Sequence, residues 1–205
     1  RPIVLSAALL APVFAADPAQ AEWREFSIPD IASSIDWGTA QDLHLSLPDG
    51  WEAHGAPAVE GASVGRFFPK AQSFADWTDQ ITVQTRNVPE EYRGSGRASA
   101  IIGHWQRSCG QFHLSNTLMG EGDDLEVIRF TIDCEQPQPG AIDLHTELRP
   151  HLIRTVQIMT GRHVVYEISR DWQGDTPEAA SSSRDAEWTA FFDAIRVIKR
   201  AAKKP

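Results

Sequence analysis

His104, Cys109 and His113 fall within one short stretch, and two imidazoles with a thiolate and a nearby carboxylate would make a zinc-type ligand set. Against this, none of the histidines pair three or four apart on a helix, and Cys109 has a better use as half of a disulfide. In "GEGDDLE" the oxygen donors Glu121, Asp123 and Glu126 are too few for a calcium loop, which needs alternating ligands. Asp123 and Asp124 suit a Gly-flanked turn, where aspartate bonds its own backbone. His44 and His145 sit on the polar phase of strand patterns and are expected in solvent. Ser181 to Ser183 would need a base to become nucleophiles, and nothing in the sequence places one beside them. There is no Gly-x-Ser-x-Gly elbow, no phosphate-cradling Gly-rich loop and no His-Glu-x-x-His pair. No catalytic residue, metal ligand or cofactor is therefore assigned, and catalysis is left undecided, leaning against an enzyme.

Recognition chemistry has one candidate, the stretch "FFPKAQSFADWTDQITVQTR" from 67 to 86. Pro69 forces a turn and Ser73 can cap a single helical turn. Lys70 and Trp77, joined by Arg66, would form the rim of a binding site, since cationic and aromatic side chains on a connection suit recognition. The plainer alternative is a packed connection, with Phe74 and Trp77 plugging the end of a sheet.

The elements that must position these residues are legible from periodicity. Ala98, Ile101, Ile102, Trp105 and Cys109 in "SGRASAIIGHWQRSCG" recur at helical spacing before Gly110. A closing helix is predicted in "SRDAEWTAFFDAIRVIKR", with Trp188, Phe191, Phe192, Ile195 and Ile198 on one face and Ser183 as its cap. Strands are predicted in "LHLSL", "VGRFF", "QITVQTR", "HLSNTLM", "LEVIRFTIDC" and "AIDLHTELRPHLI", and a hairpin turning at 160–162 in "TVQIMTGRHVVYEISRDW". Successive strands with short turns give a mainly antiparallel β-sheet, and both amphipathic helices need it to cover their apolar faces. The expected class is α+β.

The first residues, "RPIVLSAALLAPVFAADPAQAEW", join a basic residue to an apolar run and two small-x-small signals, Val13-Phe14-Ala15 and Ala19-Gln20-Ala21. Residues 1–21 are expected to be a secretory signal with a truncated n-region, and 22–205 one globular domain starting at Glu22. That run is shorter than the ~20 residues of a membrane span, so no integral span is expected. A periplasmic or secreted location follows, and there the pair Cys109 and Cys134 forms a structural disulfide. The net charge of −9 argues against nucleic acid, which requires clustered cations. The cluster Lys199, Arg200, Lys203 and Lys204 suits a helix end and tail.

The order of elements resembles the PsbP-like fold. The residues that carry the likeness are "LHLSLPDGW", "DQITVQT", the hairpin around Gly161 and the closing "EWTAFFDAIRVI". The resemblance implies an α/β/α sandwich and carries over no catalytic residues, since that superfamily shares none. Three function classes remain. The preferred one is an exported, non-enzymatic binding or accessory protein for a protein or small apolar partner, suggested by the missing motifs and by seven Trp. The others are a hydrolase-type enzyme with an unrecognised site, and a structural subunit of an envelope complex.

Overall fold

The computed structural model describes residues 23–29, 41–55, 62–86, 93–122, 125–141, 148–161, 164–176 and 182–199. The signal segment 1–21, His145 and the Asp123–Asp124 turn lie outside these residues. The strands are β1 (Trp23–Pro29), β2 (Gln41–Pro48), β3 (Trp51–Gly55), β4 (Ala62–Pro69), β5 (Asp79–Arg86), β6 (Cys109–Gly122), β7 (Leu125–Pro137), β8 (His151–Thr160), β9 (Val165–Gly174) and β10 (Arg196–Lys199). The helices are α1 (Ser95–Ser108) and α2 (Ser182–Ala194). The protein is α+β, as expected, and every described strand pairing is antiparallel.

Two sheets form, where the sequence pattern suggested one. β1, β2 and β10 make a small sheet with β2 in the middle, and the larger sheet runs β3-β4-β5-β9-β8-β7-β6. The chain crosses between them at Asp49-Gly50. The glycine has φ +82°, a left-handed conformation open to it because it lacks a Cβ. The turn is thus no hairpin: β2 stays in the small sheet while Trp51 pairs with Pro69 across β3 and β4. The Lys70 amide donates to the Gly50 carbonyl at 2.6 Å, tying the next turn to this crossing.

The pleat sends neighbouring residues to different cores. Phe67, Ile81, Val83, Tyr166 and Ile168 join Leu43, Leu45 and Leu47 of β2 and Phe191, Phe192 and Ile195 from the α2 end. Phe68, Ile128, Phe130, Ile132, Val156 and Val165 join Ala98, Ile101 and Trp105 of α1. Helix α1 is capped by Gly94, whose φ of +47° is a left-handed conformation that favours glycine; a Cβ there would also have to displace the Glu126 carboxylate. It ends where Cys109 turns extended and enters β6.

The expected disulfide is present. Cys109 and Cys134 are bonded with Cα atoms 5.4 Å apart, joining the α1–β6 junction to β7.

The closing helix is shorter than its periodicity predicts. It stops at Ala194, and Arg196–Lys199 become β10 against β2. The Arg196 guanidinium donates through Nη1 to the carbonyls of Asp193 (2.6 Å) and Ile195 (2.8 Å), satisfying acceptors that a helix end leaves open. Val197 takes the buried position, and Ile198, expected in the apolar stripe, is 49% exposed. Pro150 stands just before β8, which starts at His151, as suits a residue with no amide hydrogen to donate to a ladder.

Candidate functional site

Strand alternation builds a polar floor as well as two cores. On β5 the residues between Ile81 and Val83 in phase are Gln80, Thr82 and Gln84; on β9 they are Glu167, Ser169 and Asp171. Register sets these side by side in three rows: Gln80 beside Asp171 and Arg154, Arg66 beside Thr82 and Ser169, and Gln84 beside Glu167. Gln80, Thr82, Glu167, Ser169 and Asp171 are all buried. Helix α1 passes over one side of this floor, and between them lies a cleft of about 380 Å³. Arg66, Arg86, Arg97 and Arg154 line it together with Glu167, and Ile101, Trp105 and Ala141 give it an apolar wall.

The charges hold one another in place. Arg97 reaches from α1 to Glu167, with Nε at 2.8 Å and Nη2 at 2.5 Å both donating to the one oxygen Oε2. Arg154 donates to Ser169 Oγ at 2.9 Å and approaches Asp171 at 3.4 Å, while its guanidinium carbon lies 5.4 Å from the Trp105 ring centre. Gln80 Nε2 donates to Asp171 at 2.8 Å. Burial pushes the Asp171 carboxyl above the usual range, and Arg154 and Gln80 oppose this without cancelling it. Arg86 donates to the side-chain oxygen of Gln84. Burial lowers its pKa, the nearby Arg97 lowers it further, and Glu167 opposes both.

The three rim residues part company. Arg66 is half-buried, lines the cleft, and stands 5.3 Å from the Phe74 ring centre. Lys70 is exposed on the turn after β4. Trp77 is 1% exposed in the α1-side core, and its carbonyl accepts from Gln173 at 2.6 Å. Phe74 packs edge-on to Phe68 at 5.0 Å, as the packed connection requires. The surplus of tryptophan has a different explanation from the one the sequence suggested. All the Trp side chains with described surroundings (51, 77, 105, 172 and 188) are buried, and of these Trp105 alone also lines the cleft.

The His104, Cys109 and His113 set is dispersed: Cys109 is in the disulfide, and His104 Nε2 contacts the Ala141 carbonyl at 2.9 Å. His44 is half-buried and not free in solvent. Nothing in the sequence pattern marks Arg86, Arg97, Arg154 and Glu167 as a set. They lie on four different elements far apart in sequence, and the polar phase of a strand, which Arg86 and Glu167 occupy on β5 and β9, looks the same when it faces water.

No known family profile and no curated protein matches the sequence. Among solved structures, the chain is similar to cyanobacterial PsbP from Synechocystis sp., with 10% identity and a TM-score of 0.54 over 91% of this chain and 99% of that one. It is also similar to the Saccharomyces cerevisiae Ran-binding protein Mog1p, with 9% identity and a TM-score of 0.52 over 86% of this chain and 95% of that one. The fold is therefore PsbP-like. At such identities the likeness establishes architecture alone. No helix among the described residues is long and apolar enough to cross a membrane.

Proposed function

We propose that this chain is an exported, non-enzymatic binding protein that holds a small-molecule ligand in the cleft between α1 and the seven-stranded sheet. The observation that carries this is the polar floor. The same strands present Ile81, Val83 and Ile168 to the opposite core, so a face that merely needed covering had apolar side chains available to it. Instead it buries Glu167 and Asp171 with arginines, at a desolvation cost that packing alone does not require. Both carboxylates are engaged by guanidinium groups, which suits holding a ligand better than proton transfer. A small apolar partner, the ligand first expected, fits this lining poorly.

Ala100 is exposed on α1 and lines the cleft, so Ala100→Trp fills it without touching either core. Native mass spectrometry of the protein isolated from the envelope should find a retained small molecule in the wild type and none in Ala100→Trp. Equal retention by both, or chemical turnover of the retained compound, overturns the proposal. Arg66 remains a ligand contact within it, and Lys70→Ala leaves retention unchanged. Export rests on the first 21 residues, and N-terminal sequencing of the envelope form should begin at Glu22. The α/β/α order of layers belongs to the same proposal, supported by the division of α1 and α2 between two cores.

A second reading, a protein partner, is favoured by one observation. Leu118 and Met119 are 52% and 67% exposed on β6, which ends the larger sheet and offers an edge for strand addition. The yeast Ran-binding protein of the same fold carries a protein partner in its name. Leu118→Asp with Met119→Asp should then abolish any specific complex while leaving the melting temperature in place; an unaffected complex removes this reading.

A further inference from the structure

We infer that the cleft selects small organic oxyanions, so that its ligand carries a carboxylate or a phosphate group. This rests on the cleft being the ligand site. Four guanidinium groups converge there from four elements: Arg66 on β4, Arg86 on β5, Arg97 on α1 and Arg154 on β8. Opposing them are Glu167 and, within the floor, Asp171, which leaves a surplus of two positive charges in a chain of net charge −9. Convergence against the overall sign of the chain is the reverse of what scattered surface arginines produce.

Hydrogen bonding points the same way. The Nε groups of Arg86 and Arg154 are shielded from water and meet no acceptor among the described residues. A buried donor without an acceptor costs free energy, and in native proteins such groups are few. Arg86 has Gln84 as its hydrogen-bond partner and no carboxylate within ion-pair distance among the described residues. Burial is the main cause that lowers the pKa of Arg86, and Arg97 adds to it against the opposing Glu167, so its charge is held in a poorly solvated place beside another of the same sign. A bound oxyanion supplies the missing acceptors and relieves that repulsion, because a guanidinium edge matches a carboxylate or phosphate with two parallel bonds.

The rest of the lining limits the ligand. Ile101, Trp105 and Ala141 form an apolar side against which a carbon skeleton can lie, and about 380 Å³ admits a molecule of metabolite size. A polyanion such as nucleic acid is disfavoured, because outside the cleft the chain is acidic.

The test uses the full chain and two probes, inorganic phosphate and succinate, titrated at constant ionic strength with chloride as counter-salt and glycerol as the neutral control. The thermal midpoint should rise with phosphate, with succinate or with both, and not with chloride or glycerol. A response to phosphate alone assigns a phosphorylated ligand, and one to succinate alone a carboxylate. Arg86→Gln should weaken the apparent affinity about tenfold, the scale of one charged hydrogen bond. Arg86→Lys should recover only part, since it restores charge without the planar fork. Near-ultraviolet circular dichroism confirms that each variant is folded. Stabilisation by both anions that persists undiminished in Arg86→Gln overturns the inference. If neither anion acts while native mass spectrometry still finds a neutral compound that Ala100→Trp excludes, the oxyanion inference falls and the cleft stands. If nothing is retained and neither anion acts, both fall.

Discussion

The guanidinium carbon of Arg170, on β9, lies 5.0 Å from the ring centre of Trp188, on α2. The Trp51 ring stands 5.4 Å from the same carbon, so one buried cation is flanked by indoles from two other elements. Asp79 at 3.2 Å and Glu187 at 2.9 Å balance its charge. Arg170 thereby joins β3, β5, β9 and α2 at one point. Arg170→Ala removes charge, stacking and volume together, and should cost about 3–5 kcal/mol, as for other broken buried pairs. Arg170→Lys should also destabilise, because an ammonium cannot stack as a plane. Urea unfolding provides the comparison, and a loss under about 1 kcal/mol for Arg170→Ala contradicts the role.

The end of α2 yields a paired prediction. Phe191 is fully buried and Ile198 half exposed. Phe191→Ala should cost roughly 3–5 kcal/mol, in line with other buried Phe truncations. Ile198→Ala should remain within about 0.5 kcal/mol, as exposed positions do. Equal losses at the two sites would mean that the helix continues through 198.

The disulfide closes a loop between residues 25 apart, worth about 3.5 kcal/mol in the chain-entropy account. Cys109→Ser should lower the unfolding free energy by a few kcal/mol, and adding a reductant to the wild type should reproduce that loss. Free thiols in the isolated protein would contradict the bond.

Acid stability reports on Asp171. Its ordinary pKa is 3.8, and burial raises it in the folded protein above the unfolded value. In the interval between the two values the folded state holds a proton that the unfolded state has released, so stability falls as pH rises through it. Asn mimics the protonated acid. The stability of the wild type relative to Asp171→Asn should thus be highest below the unfolded pKa and decline with rising pH until the folded value is passed. Urea midpoints from roughly pH 3 to pH 7 trace this, and a difference that grows with pH refutes it.

Local patterns announced most of the elements, and for physical reasons. Leu43, Leu45 and Leu47 alternate because β2 buries one face, and Ala98, Ile101 and Trp105 follow the helical period because α1 does. The division into two sheets was illegible, since alternation says which face is buried and nothing about which strand lies alongside. At residues 196–198 tertiary pairing with β2 overrode a helical period that the sequence continues. The cleft is illegible in the sequence for a related reason. Glu167, Ser169 and Asp171 alternate with apolar neighbours as solvent-facing residues would, and only the passage of α1 over them turns that phase into an interior.

The small sheet sets a timetable for folding. Its middle strand, β2, is completed by β10, where Val197 pairs with Leu43 from the far end of the described chain. Contacts of such separation form late, because a long loop must close before they stabilise anything. Leu43, Leu45 and Leu47 therefore gain the part of their cover supplied by Phe191, Phe192 and Val197 only once α2 and β10 have docked. The β2–β10 pairing is thus expected among the last contacts to form on refolding from denaturant.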